Sequence, residues 1–176
     1  RGLEVVEILR REGLDVGYIV AGDGPAGPAL KQECEARGLT PYVRWCGRLP
    51  DVELPALYGV ADLYLGLSRR IGRSVEGFGL ALLEAQASGL PVVAGESGGI
   101  AEAVDHGTTG LLVPPEDLGA IVPAVRALLE DPAHAGAFGA AARARVERGF
   151  GWSRVVRELD EAADAASVGP AARAGR

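Results

Sequence analysis

Two glutamates bracket a glycine-rich turn in the run Glu76-Gly77-Phe78-Gly79-Leu80-Ala81-Leu82-Leu83-Glu84. Gly77 and Gly79 let a ligand approach the backbone closely and admit unusual dihedrals. The run opens a helix expected from Gly79 to Ser88, so the N–H groups of Gly79, Leu80 and Ala81 point outward from its first turn. Such groups lack an intrahelical partner and favour an anion, a diphosphate above all. Glu76 stands just ahead of that anion site, where a second negative charge is unfavourable. It is either a solvated loop acid or an acceptor for neutral sugar hydroxyls, which bond strongly to a carboxylate. Glu84 follows Leu80 by one helical turn and shares its face. It is either a solvated helix residue or the partner of paired ribose hydroxyls; apolar Leu82, Leu83 and Ala85 around it favour the second.

Weaker signals surround this run. Gly22-Asp23-Gly24-Pro25 reads as a strand-to-helix turn or a nucleotide loop. The pattern G-x-G-x-x-G followed by a ribose-binding acid is missing, which argues against a dinucleotide domain. Ser97-Gly98-Gly99 has no histidine placed to activate the serine and reads as a tight turn. Arg69, Arg70 and Arg73 form a small basic loop before Glu76. They are either solvated or contact an anionic acceptor such as a lipid headgroup. Cys34 and Cys46 have neither metal-ligand spacing nor a disulfide framework and read as reduced thiols; His106 and His134 read as surface residues.

The elements that position these residues follow from periodicity. Leu3, Val5, Val6, Ile8 and Leu9 recur at helical spacing up to Gly13. Val16 to Ala21 reads as a buried parallel strand, Pro28 to Arg37 as a helix, and Val43 to Cys46 as a second strand. Val52 to Val60 is a helix with Leu54, Leu57 and Tyr58 inward, and Leu63 to Leu67 a third strand. After the Gly79–Ser88 helix come a strand at Val92 to Ala94, a brief helix from Ile100 to Val104 and a strand from Gly110 to Val113. Helices at Leu118 to Glu130, Pro132 to Arg148 and Ser153 to Ala166 complete one domain over 1–166, with 167–176 expected to be a disordered tail. Alternating strands and helices imply a Rossmann-like parallel α/β sheet with helices on both faces, ligands binding beyond the strands' carboxyl ends.

Bulk properties narrow the function. The 176 residues suit a single domain, and a net charge of −6 leaves no broad basic surface for nucleic acid. No apolar run approaches the roughly 18 residues that span a bilayer. The sequence lacks methionine and starts directly in a helical pattern. This motivates the expectation of a segment of a longer protein, with a first strand lying upstream.

The ordered motifs resemble the family-4 retaining glycosyltransferases of GT-B fold. The resemblance rests on Glu76-Gly77-Phe78-Gly79 with Glu84, the Glu-x7-Glu signature, then Ala87-Ser88-Gly89-Leu90-Pro91-Val92-Val93-Ala94. Ser97-Gly98-Gly99-Ile100 and Gly107-Thr108-Thr109-Gly110-Leu111-Leu112-Val113-Pro114-Pro115 continue it, with Gly22-Asp23-Gly24-Pro25 and Trp45-Cys46-Gly47 in the expected order. The basic loop before Val75 also resembles mannosyltransferases that build phosphatidylinositol mannosides.

What the resemblance implies is the C-terminal, donor-binding half of a GT-B enzyme that moves a hexose from a nucleotide-diphosphate sugar. Glu76 would contact the donor sugar and Glu84 the nucleotide ribose. Backbone amides around Gly77, Phe78, Gly79 and Leu80 would hold sugar and diphosphate, and the base would rest near Cys46, Gly47, Arg48 and Leu49. The family's diphosphate-neutralising Arg and Lys fall where this chain has only Arg1-Gly2. No Asp-x-Asp motif occurs, in keeping with a metal-independent site and no cofactor. The expected partners are the nucleotide sugar and an N-terminal acceptor domain, with cytoplasmic work at a membrane face. The rivals are a sugar-nucleotide epimerase of the same fold and a non-catalytic nucleotide-sugar-binding module.

Overall fold

The computed structural model describes residues 1–68, 72 and 79–167, leaving aside the side chains at 153 and 165–167. The chain opens with α1 (Gly2–Arg11), β1 (Tyr18–Ala21), α2 (Gly27–Ala36), a 3-10 turn (Thr40–Tyr42) and β2 (Val43–Gly47). It continues with α3 (Leu54–Val60), β3 (Tyr64–Gly66), α4 (Leu80–Ala87), β4 (Val92–Gly95) and α5 (Ile100–Ala103). It ends with β5 (Gly110–Val113), α6 (Leu118–Glu130), α7 (Pro132–Gly149) and α8 (Trp152–Ser167). Local chemistry sets several boundaries. Asp117 caps α6 by accepting the Gly119 N–H at 2.8 Å, and Asp131 caps α7 by accepting that of His134 at 3.0 Å. Pro132 takes the first helical position of α7, where no N–H is needed.

Among the described residues every strand pair is parallel. Within β4 the side chains alternate between two cores. Val93 packs with Val5, Leu9, Ile121 and Val125 of α1 and α6, whereas Val92 and Ala94 pack with Leu82, Leu83 and Ile100 of α4 and α5. Helices therefore cover both faces, and α4, which carries Glu84, is anchored on β4. A third cluster joins Leu3 and Val6 of α1 to Cys34, Leu39 and Val43. The two faces of α1 thus tie the first part of the chain to the second. Cys34 and Cys46 are both free thiols, and burial pushes the Cys34 thiol up.

The parallel α/β architecture with helices on both faces is as expected; among the described residues its strands form two hydrogen-bonded groups, β1-β2 and β3-β4-β5, with a groove of about 1060 Å³ lined by both β1 and β3. Strand β1, expected to be buried, is not. Its residues alternate between half-buried and exposed because Tyr18 and Val20 pack on the cluster of Leu3, Val6 and Cys34, while Ile19 and Ala21 project from the opposite face of the strand. Smaller differences are local. Helix α3 begins at Leu54 rather than Val52, since Pro55 suits a first turn and Val52 lies exposed. The 3-10 turn at Thr40–Tyr42 was not expected, and α8 runs through Ser167, one residue into the expected tail. Residues 168–176, the rest of that tail, lie outside the described residues.

Candidate functional site

The carboxyl ends of β1, β2 and β3 and the amino end of α4 meet around one mouth. Gly79 precedes α4 with φ 73° and ψ 52°, the left-handed conformation that favours glycine. Its carbonyl accepts from Leu82 N at 3.0 Å and Leu83 N at 3.1 Å, so the helical ladder starts there. The N–H groups of Leu80 and Ala81 precede the first donor of that ladder, Leu82 N, and have no carbonyl within the helix to bond. They border a recess of about 80 Å³, lined among the described residues by Tyr64, Gly66, Ser68, Gly79, Leu82 and Ile100 as well. Leu80 is 68% exposed despite being apolar, so α4 presents a free first turn to this mouth.

The large groove lies alongside. Arg48, Leu49, Tyr58, Ala81 and Glu84 all line it. Tyr64 and Ala81 border both spaces, so recess and groove meet at the start of α4. The sequence-expected residues Gly79, Leu80, Glu84, Arg48 and Leu49 are thereby brought to one region. Gly47 holds the turn that places Arg48 and Leu49, with φ 62°. Glu76, Gly77 and Phe78, together with Arg69, Arg70 and Arg73, lie outside the described residues.

Two residues escaped the sequence reading as contributors. Asp23, in the Gly22–Pro25 turn, accepts the Arg48 N–H on Oδ2 at 3.2 Å. Gly22 N donates to Gly47 O at 2.7 Å. The first turn thus buttresses the second, and the ends of β1 and β2 are locked together. A carboxylate in an Asp-Gly turn is the signal that was available, but its partner is 25 residues away. Tyr58 was expected only as an inward apolar residue. Its hydroxyl donates to Glu84 Oε2 at 3.0 Å and lies 3.3 Å from Ala81 O. Burial pushes the Tyr58 phenol well above its usual range, and the hydrogen bond with the Glu84 carboxylate pushes it further. The hydroxyl therefore keeps its proton, and its role as donor, across any working pH.

Arg1, the expected stand-in for a diphosphate-neutralising base, is engaged elsewhere. Its guanidinium bonds Glu4 at 2.8 Å and Glu116 at 3.1 Å. Among the described residues no three His, Cys, Asp or Glu side chains group closely enough to hold a metal. Nor is any described helix long and apolar enough to cross a membrane.

Comparison with known proteins gives the family and the fold. The family model "Glycosyl transferases group 1" matches residues 2–145. A GDP-mannose-dependent alpha-(1-6)-phosphatidylinositol monomannoside mannosyltransferase from Mycolicibacterium smegmatis is 41% identical over 137 residues, covering 77% of this chain and 36% of the relative. Among solved structures, sucrose-phosphate synthase from Thermosynechococcus elongatus superposes with a TM-score of 0.81 at 27% identity, covering 93% of this chain and 41% of that one. The Anabaena protein HepE in complex with UDP gives 0.80 at 25% identity, covering 93% and 45%. These neighbours are GT-B glycosyltransferases. The chain spans less than half the length of each protein it matches here.

Proposed function

The chain belongs to the group 1 glycosyl transferases, and from that premise we propose that it is the donor-binding half of a retaining hexosyltransferase. One observation carries the reading: the free first turn of α4, the Glu84 carboxylate and the Arg48–Leu49 turn open onto a single mouth. A sugar nucleotide has three parts of matching chemistry. The diphosphate takes the N–H groups of Leu80 and Ala81, Glu84 accepts from the ribose hydroxyls, and the base rests against Gly47, Arg48 and Leu49. Glu76, just ahead of the helix, takes the sugar hydroxyls. As the sugar–phosphate bond breaks, negative charge grows on the diphosphate, and the α4 terminus stabilises it. GDP-mannose, named for the mycobacterial relative, is the first donor to test.

The acceptor approaches from a second domain, and transfer takes place at the cytoplasmic face of a membrane. Arg69, Arg70 and Arg73 offer the charge for an anionic acceptor. A thermal-shift panel of GDP-, UDP- and ADP-sugars on the full-length protein tests the donor, since a ligand that binds the native state raises its stability. No shift with any of them sinks the reading. In this reading the α4 terminus carries the diphosphate without a cation, so transfer is expected to keep its rate in EDTA. Loss of activity restored by magnesium or manganese overturns that part alone.

The groove supports an organisation in which this half is completed from upstream. Among the described residues β1 and β3 each have a neighbouring strand on one side and border one space on the other, above an apolar floor of Val5, Leu9, Val125 and Leu129. The outer edge of a strand is a template for another strand. A parallel strand entering ahead of α1 would join both sheets in the order β2, β1, new strand, β3, β4, β5, which is the doubly wound arrangement. The right-handed crossover through α1 then follows. In a protein extended upstream of Arg1, the amide of Leu65 and those of β1 that face away from β2 should exchange with solvent more slowly than in residues 1–176 alone, whereas the Tyr64 N–H is already bonded to Pro91 O. Only the extended protein should transfer sugar. Equal exchange in the two, or turnover by 1–176, contradicts this organisation.

A further inference from the structure

The carboxylate assigned to ribose does not stand by itself. Glu84 is exposed on α4, and an exposed glutamate ordinarily samples many rotamers. Holding it in one of them is a cost that ligand binding must meet. Tyr58, one helix away on α3, supplies a hydroxyl 3.0 Å from Glu84 Oε2. That hydroxyl has a single proton and two acceptors in reach, and the Ala81 carbonyl is the more distant at 3.3 Å. The charged, nearer carboxylate takes it. The ring itself is held. It packs against the core formed by Leu82, Leu83 and Ile100, and its centroid lies 6.3 Å from that of Tyr64 at an interplanar angle of 58°. Tyr58, Ala81 and Glu84 all border the same groove.

We infer that Tyr58 is a positioning residue for donor binding, fixing one oxygen of Glu84 so that the other faces the ribose before the nucleotide arrives. One oxygen of the carboxylate is bonded from the protein side, and the remaining lone pairs are left for a ligand. A purely structural tyrosine would have its hydroxyl in water or on a backbone carbonyl. Here the hydroxyl reaches across two elements to the one carboxylate of α4. The inference rests on the assignment of Glu84 to ribose, and the test separates the two.

The measurement is calorimetric binding of GDP and of 2′,3′-dideoxy-GDP to the full-length protein, with UDP and its dideoxy form if the wild type prefers them. The ratio of the two dissociation constants reports the ribose hydroxyls alone, and a change in folded fraction cancels from it. Tyr58→Phe keeps the ring and removes the hydroxyl. It should weaken GDP about three- to tenfold, the usual worth of one hydrogen bond, and lower the dideoxy/GDP ratio by the same factor. Tyr58→Leu, the second variant, should lower the ratio equally while also melting earlier, because the ring packing goes. Glu84→Ala should bring the ratio close to one. A wild-type ratio in both Tyr58 variants, with Glu84→Ala still abolishing it, overturns the role of Tyr58 and leaves that of Glu84. A wild-type ratio in Glu84→Ala overturns the ribose assignment itself.

Discussion

Glu76→Ala is expected to lower turnover by a hundredfold or more while leaving nucleoside diphosphate binding near its wild-type value; Glu84→Ala should do the reverse. The difference follows from what each carboxylate touches in the proposed complex. Ribose hydroxyls are present on the donor and on the bare diphosphate alike, so losing Glu84 weakens both. A charged hydrogen-bond partner is typically worth about 1.5–3 kcal/mol, or roughly ten- to a hundredfold in affinity. The sugar is absent from the bare diphosphate, so losing Glu76 leaves that ligand almost untouched. A sugar without its anchor, however, loses alignment with acceptor and leaving group, and small misplacements cost about a hundredfold in rate. Calorimetry with the diphosphate and initial rates with the sugar nucleotide, both on the full-length protein, give the comparison. Matching behaviour of the two variants in both assays removes the division of roles. Wild-type behaviour of both removes the glycosyltransferase site from this part of the chain.

The second large effect is on stability. Gly139 in α7 is buried where α7 crosses the turn that follows α4, and a Cβ built there runs into the Gly89 carbonyl oxygen, with Gly89 C at 2.9 Å. The obstacle is backbone rather than a flexible side chain. Gly89 also has φ 81°, so its turn has little freedom to yield. Gly139→Ala should therefore cost about 3 kcal/mol or more, at or beyond the upper end of ordinary overpacking. For a protein of this size that is a fall in melting temperature of about 6–12 °C. Gly136, one turn earlier in the same helix, has nothing within 4 Å of its would-be Cβ. Gly136→Ala should stabilise by about 0.5–1 kcal/mol, from helix propensity alone. Thermal melts of the two variants decide it, and equal melting temperatures would show that α7 moves freely away from α4.

The order and type of almost every element were legible because each is written in local chemistry. Helix α1 shows its apolar face at Leu3, Val5, Val6 and Leu9, and α7 its Asp131 cap with Pro132 behind it. The strand Val92–Gly95 is a plain apolar run, and the structure buries all of it. The α4 site was legible for the same reason. Glycine ahead of a helix and a glutamate one turn inside it are short-range facts, and the helix places Leu80 and Glu84 on one face whatever else the chain does.

The tertiary structure alone decided which distant residues complete these fragments. That Asp23 supports Arg48, and that Tyr58 reaches Glu84, depends on pairs 25 and 26 residues apart on different elements. No local pattern encodes such a distance, because each partner alone is an ordinary turn aspartate or helix tyrosine. The burial of β1 is a decision of the same kind. The run Val16–Ala21 carries the apolar content of a buried strand, yet burial requires cover on both faces, and β1 is packed on the Tyr18 and Val20 face while Ile19 and Ala21 are exposed. A sequence states how willing a segment is to be covered; whether something covers it is settled by the packing of the whole.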